Sequence, residues 1–425
     1  MIIYTANQGD TMYSIARRYG ITLNELERFN GFADPTRLAI GQDVLIPVSH
    51  SEYVVESGDS LYSIALRHGV TLDALLAANP SITPPYTIYP DDIINIPNDN
   101  ANKRTISVNG YAYPNINRGV LEQTLPYLTY LSIFSHSVNS DGTLGTIDDE
   151  SLITTAKNYR TRPIMVVTNT EEGGGFRSEI TEAVLNNSAA RENLINNIVS
   201  TATQKGYEGV DIDFEYIYPK DREKYNEFLE LLKNRLDEEN LTLSTAIAPK
   251  LSASQVGTLY EAHDYAAHGR LVDYLIIMTY EWGYMYGPPL AVAPYNEVRK
   301  VISYAVTEIP SRKILMGMPN YGYDWTLPYQ SGRPATILSI NRAIALANEV
   351  GAEIMFNDSS KAPFFEYTKN GTNHIVWFEN ARSTAARLQL VNDFNLGGVS
   401  YWTINQFYAQ NWRVLENMFN IRKYP

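Results

Sequence analysis

The sequence predicts an α/β protein: a TIM (β/α)8 barrel with a small α+β insertion between strands seven and eight, preceded by two small βααβ units. Three observations carry this. Residues 1 to 98 contain one pattern twice, and from Thr105 onward eight β-rich runs alternate with amphipathic helical stretches. The fourth of those runs, Gly209-Val210-Asp211-Ile212-Asp213-Phe214-Glu215, alternates apolar and acidic residues.

The repeat comes first in the chain. Tyr4, Gly9-Asp10, Tyr13-Ser14-Ile15-Ala16, Gly20, Thr22-Leu23, Leu26 and Asn30 recur as Tyr53, Gly58-Asp59, Tyr62-Ser63-Ile64-Ala65, Gly69, Thr71-Leu72, Leu75 and Asn79. Each unit then runs to a short apolar strand closed by proline, at Val44-Leu45-Ile46-Pro47 and Ile93-Ile94-Asn95-Ile96-Pro97. Strand, helix, helix, strand is the expected order, with Asp10 and Asp59 at the N-cap or in the first turn of the first helix. Both units resemble LysM modules, small folds that bind N-acetylglucosamine-containing polymers such as peptidoglycan and chitin. The resemblance covers residues 1–48 and 51–98. It implies that Gly9, Asp10, Thr11, Gly58, Asp59 and Ser60 line the glycan groove, although the same residues also suit a plain turn and helix cap. Two such sites in tandem raise effective affinity for a polymer. Deleting residues 1–98 is therefore expected to weaken wall binding and spare cleavage of soluble fragments. Residues 99–104 are polar, lack apolar periodicity and are expected to be a linker.

The barrel strands are expected at 106–111, 130–135, 164–168, 209–215, 242–248, 274–280, 314–319 and 398–403. Between them lie helical patterns such as Leu194, Ile195, Ile198, Val199 and Ala202, and Tyr225, Phe228, Leu229, Leu232 and Leu236. Pro219, followed by Asp221 and Glu223, marks a helix start. Eight such units suit a TIM barrel across residues 105–425, with the surplus at 326–379 forming the insertion. There a helix is expected at 340–350 and strands at 354–356, 364–367 and 375–378, a subdomain able to wall one side of a cleft.

In a strand, Asp211, Asp213 and Glu215 share one face, and in a barrel that face points inward and rises towards the C-terminal mouth. A row of carboxylates resists common ionisation, so one member keeps a proton near neutral pH, which is the condition of a general acid. An edge strand with a solvated acidic face, or half of a cation site, is the other reading of such a row.

Glu208 to Glu215 resembles the DGxDxDxE signature of the family-18 glycoside hydrolases, with Glu208 departing at the first position. Met278-Thr279-Tyr280, Met318-Pro319-Asn320-Tyr321-Gly322 and Gly397-Gly398-Val399-Ser400-Tyr401-Trp402 extend the similarity over residues 105–425. The resemblance implies substrate-assisted, retaining hydrolysis. Glu215 would be the acid and later the base, and Asp213 would hold the 2-acetamido group that attacks the anomeric carbon. Asp211 would share charge and a hydrogen bond with Asp213, Tyr280 would bond the acetamido oxygen, and Trp402 would floor the reacting sugar. Glu281, where the family has aspartate, together with Trp282 and Tyr321, would contact substrate. Tyr280 and Trp402 also suit simple barrel packing.

Composition narrows the function. A net charge of -13 argues against general nucleic-acid binding. With no cysteine and six histidines lacking HExxH spacing, neither metal nor cofactor is expected. The 31 tyrosines and 5 tryptophans suit sugar stacking as well as packing. No stretch approaches the roughly 18 apolar residues of a membrane span, and residues 1–10 lack the basic and apolar regions of a secretory signal.

Taken together, these features resemble the bacterial spore cortex-lytic enzymes. That implies an N-acetylglucosaminidase cleaving β-1,4 bonds in cortex peptidoglycan fragments during germination. The enzyme would be a monomer, made in the cytoplasm and located in the spore coat or cortex. The alternatives are a chitinase or other chito-oligosaccharide hydrolase, and a non-catalytic glycan-binding protein. Lectin-like relatives typically lose the glutamate that stands here as Glu215.

Overall fold

The computed structural model describes residues 1–32, 34–47, 50–68, 70, 72–79, 81–97, 103–171 and 174–424. Gly69 and Thr71 of the repeat pattern, Asn98, and residues 99–102 of the expected linker lie outside them. Lys103 and Arg104 are not linker: Arg104 donates to the Val391 and Leu396 carbonyls and Lys103 to that of Glu416, so both belong to the barrel.

Eight parallel strands form the barrel: Thr105–Ala112, Tyr130–Ser137, Arg162–Thr168, Gly209–Asp213, Thr242–Ile247, Tyr274–Ile277, Ile314–Pro319 and Gly398–Trp402. Each pairs with the next, and the eighth closes on the first with Gly398 opposite Ser107. Apolar side chains facing outward meet the helices in one continuous core. Val210, Ile212 and Phe214 belong to it, and Phe214 stacks at 5.9 Å on both Tyr225 and Phe228. The inward layer holds Tyr111, Ile164, Val166, Ala246, Ile276 and Leu315.

The insertion begins earlier than its sequence suggests. Its five-stranded antiparallel sheet starts at Gly322–Leu327, directly after the seventh barrel strand, and also contains Thr336–Leu338, Met355–Asn357, Ala362–Lys369 and Thr372–Trp377. Tyr323 and Trp325 are buried on one face of that first strand while Asp324 between them bonds His374 and Tyr367.

In each repeat an antiparallel strand pair holds two short helices. Asp10 and Asp59 are not the caps. Thr11 and Ser60 cap the first helices, each in a reciprocal capping box with Ser14 or Ser63. The aspartates stand one residue earlier and tie the loop together. Asp10 accepts from Tyr4 Oη at 2.6 Å, Asn7 N at 2.9 Å and Arg18; Asp59 does the same with Tyr53 Oη at 2.6 Å, Glu56 N at 2.9 Å and Arg67.

The first repeat is seated on the barrel. Ile354 N donates to Ile40 O at 2.8 Å, and the fully buried Asp43 accepts from Arg382 N at 2.9 Å and Nε at 2.6 Å. Gln410 Nε2 reaches Asn30 Oδ1 at 2.6 Å and Asp43 O at 3.0 Å. Deleting residues 1–98 would therefore uncover barrel surface as well as remove glycan affinity, so removal of the second repeat alone is the cleaner test of wall binding. Burial pushes the Asp43 carboxyl up to about 6, against the pull of Arg382. Arg382→Met strands that carboxyl, and chemical denaturation should show a loss of about 2–3 kcal/mol. Unchanged stability would mean that other contacts hold the seat.

Candidate active site

The fourth strand leaves its hydrogen-bonded ladder at Asp213, yet the chain holds direction for two residues more. Side chains from the segments that follow strands three and five replace the missing ladder. The Asn169 amide, at the end of strand three, accepts from Glu215 N at 2.9 Å and donates to Glu215 O at 2.8 Å. On the other side His263 Nδ1 accepts from Ala248 N at 2.9 Å, so Nε2 carries the hydrogen and donates to Phe214 O at 2.9 Å. Burial lowers the His263 pKa to about 4, so the ring stays neutral and keeps that pattern. Neither residue was singled out from sequence. A polar residue just past a barrel strand, as in Thr168-Asn169, is the one signal available.

Asp211, Asp213 and Glu215 lie on the inner face, as the alternation predicts, but they differ in partners. Asp211 is fully buried and accepts from Tyr111 Oη and Ser244 Oγ, both at 2.6 Å. These bonds occupy its two oxygens, in place of the expected hydrogen bond to Asp213. Burial still pushes Asp211 up to about 6. Asp213 Oδ1 is buried without a partner, and burial, then the charges of Glu215 and Asp211, drive its pKa well above the ordinary value. Burial, then the charge of Glu281, pushes Glu215 up to about 7. Asp211 and Glu215 thus change charge near neutral pH, and Asp213 holds its proton more firmly than an ordinary carboxyl.

Above them opens a cleft of about 640 Å³. Asp213, Glu215, Tyr280, Glu281, Trp282 and Trp402 all line it. Trp402 is wedged edge-on among Phe134 at 4.9 Å, Tyr111 at 5.4 Å and Tyr113 at 6.0 Å, which fixes its plane at the cleft. Tyr321 is not in the lining. Its hydroxyl, with that of Tyr323 at 3.0 Å, donates to the Glu281 carboxylate. Glu281 has a φ of +68°, a left-handed backbone unusual for a residue with a side chain and typical of functional sites. Among the described residues, the insertion adds no side chain to this cleft; it acts through Tyr323 on Glu281. Glu208 sits at the opposite end of the strand, paired with Arg162 at 3.0 Å, so its departure from the signature leaves the cleft untouched.

The LysM positions Gly9, Asp10, Thr11, Gly58, Asp59 and Ser60 lie in the two strand-to-helix loops. Gly9 and Gly58 adopt φ of +84° and +92° with open space around them. Among the described residues no cluster of three metal-ligating side chains occurs, and no helix is long and apolar enough to cross a membrane.

The chain matches the family model described as glycosyl hydrolases family 18 over residues 108–406, and the LysM domain model over residues 4–47 and 53–97. It is 42% identical over 431 residues to the cortical fragment-lytic enzyme of Bacillus subtilis (strain 168), covering 100% of this chain and 99% of that relative. The solved structure of the Bacillus megaterium QM B1551 spore cortex-lytic enzyme SleL is similar with a TM-score of 0.91 and 39% identity, covering 100% of this chain and 99% of the other. For the Bacillus cereus SleL structure the TM-score is 0.87 at 37% identity, covering 99% and 98%.

Proposed function

Because this chain belongs to glycosyl hydrolase family 18 and carries two LysM domains, we propose that it is a spore cortex-lytic N-acetylglucosaminidase acting as a monomer on peptidoglycan fragments. The single observation that carries the chemistry is a carboxyl at the cleft, Glu215, whose pKa lies near 7, beside a buried Asp213 oxygen with no partner of its own.

Glu215 protonates the glycosidic oxygen as the bond to the anomeric carbon breaks. The acetamido carbonyl oxygen of the same sugar attacks that carbon, and Asp213 accepts a hydrogen bond from the amide N–H, which stabilises the developing oxazolinium. Glu215, now ionised, takes a proton from the water that opens the ring, so configuration is retained. Asp211, held by Tyr111 and Ser244, sets the local charge on Asp213. Tyr280 bonds the acetamido oxygen, Trp402 stacks on the sugar face, and Glu281 and Trp282 contact the rim of the substrate.

Mass spectrometry of products from cortex fragments and from chitin oligomers, with wild type and Glu215→Gln, tests this. New reducing-end N-acetylglucosamine from cortex with wild type alone supports the proposal. Cleavage of chitin and not cortex makes the protein a chitinase, and no cleavage of either leaves a binding protein.

Asn169 supplies a separate check. Asn169→Ala removes both bonds to the Glu215 backbone, and kcat should fall about 10- to 100-fold with KM nearly unchanged. Equal loss in both parameters would show that Asn169 shapes the cleft and does not aim the acid.

A further inference from the structure

Hydrogen bonds align the two repeats residue by residue. Gly41 N donates to Ala6 O at 2.8 Å as Asp91 N does to Val55 O at 2.9 Å, and Leu45 N donates to Asn30 Oδ1 at 2.7 Å as Asn95 N does to Asn79 Oδ1 at 2.7 Å. In this alignment Ala39, Gly41 and Asp43 correspond to Tyr89, Asp91 and Ile93. All three positions of the first repeat meet the barrel. Ala39 lies in the core of the insertion with Ile354, Phe378 and Tyr408. Gly41, at a φ of +82°, is so close that a Cβ would stand 1.9 Å from the Ile354 carbonyl oxygen. Asp43 holds Arg382. In the second repeat Tyr89 and Ile93 are 66% and 63% exposed. The seat is specific to the first repeat.

Where the first repeat meets the insertion, a cleft of about 580 Å³ remains. One wall is the loop edge of the repeat, with Thr5, Asn7 and Ile40; the other is the insertion edge, with Glu353, Phe356 and Asp358. We propose that this composite cleft binds a segment of the N-acetylated glycan polymer, gripped jointly by the first repeat and the insertion and held in fixed register to Glu215. This rests on the glycan-hydrolase reading above and adds a site that half belongs to the catalytic domain.

The lining suits that ligand. The Arg382 guanidinium lies 4.3 Å over the Phe356 ring and is neutralised by Asp43, so the cleft offers an apolar plane without free positive charge. Glu353 and Asp358 supply acceptors for hydroxyl and amide donors and disfavour polyanions, while Asn7 can donate as well as accept. Backbone and ion-pair contacts fix the repeat on the barrel, so the two walls of the cleft keep their spacing and a strand captured here is held at a set position on the catalytic domain.

Amide hydrogen exchange on full-length Glu215→Gln protein, with and without soluble peptidoglycan glycan strands, tests the proposal. The expected result is several-fold slower exchange at 353–358 together with 5–7, beyond that around 211–216. Met355→Trp fills the cleft from its exposed wall and should erase the first two signals while the third persists. Protection at 211–216 with none at 353–358 overturns the composite site alone. Protection nowhere overturns the glycan reading, and this proposal with it.

Discussion

Glu215→Gln should lower kcat on soluble cortex fragments by about 10³-fold or more and leave KM within about threefold. The substitution keeps the shape and the Asn169 contacts, which involve only backbone atoms of Glu215, so the loss would report the missing proton and not a displaced loop. The wild-type pH profile should agree. Glu215 donates only while protonated, so kcat should decline as pH rises through about 7, and the Gln variant should lack that limb. Stopped assays from pH 5 to 9 measure both. Turnover above about a tenth of wild type would transfer the acid role to another cleft carboxyl, with Glu281 the first to examine.

The second large effect is expected at Asp213, with opposite signs for activity and stability. Asp213→Asn should cost about 10²-fold in kcat, because the variant carboxamide no longer offers an anionic partner to the oxazolinium. The melting temperature should nevertheless rise by about 1–3 °C. Asp213 is buried with Oδ1 unbonded and close to two other carboxyls, so ionising it is unfavourable in the folded chain. Its folded pKa lies above the unfolded one, so its stabilising contribution is full below the unfolded pKa and is lost as pH climbs through the folded value. The gain from asparagine should therefore be larger at pH 8 than at pH 5, which calorimetry at the two values would show. A lower melting temperature at pH 8 would mean that the carboxylate is paired in solution.

Legibility in the sequence followed the range of the interactions. Strand four was readable because the pleat alone sorts Val210, Ile212 and Phe214 from Asp211 and Asp213, and the other barrel strands are apolar runs of the same local kind. The repeat was readable because it occurs twice. Residues acting across the fold were not. Asn169, just past strand three, and His263, in the loop before the helix Tyr265–Leu271, meet the Phe214–Glu215 backbone from other parts of the chain, and only the polar residue after Thr168 hints at the first of them. The strand Gly322–Leu327 was hidden because Asn320-Tyr321-Gly322 reads as a turn after the seventh strand, whereas Gly322 fits against Phe378 with no room for a side chain. Asp10 was mistaken for a cap by one position, since Thr11 caps equally well by type and only the fold chooses between them.

The seat of the first repeat also changes how the chain is strung. With residues 1–47 pinned to the barrel and Arg104 anchored again in it, the second repeat is a bead on a closed loop and not the middle of a free tail. Both of its ends return to the same rigid body. Exchanging the two repeats by recombination would set the Asp91 side chain against the Ile354 carbonyl and Ile93 against Arg382, so the copies are not interchangeable parts. Further copies could be spliced into the loop without disturbing the seat.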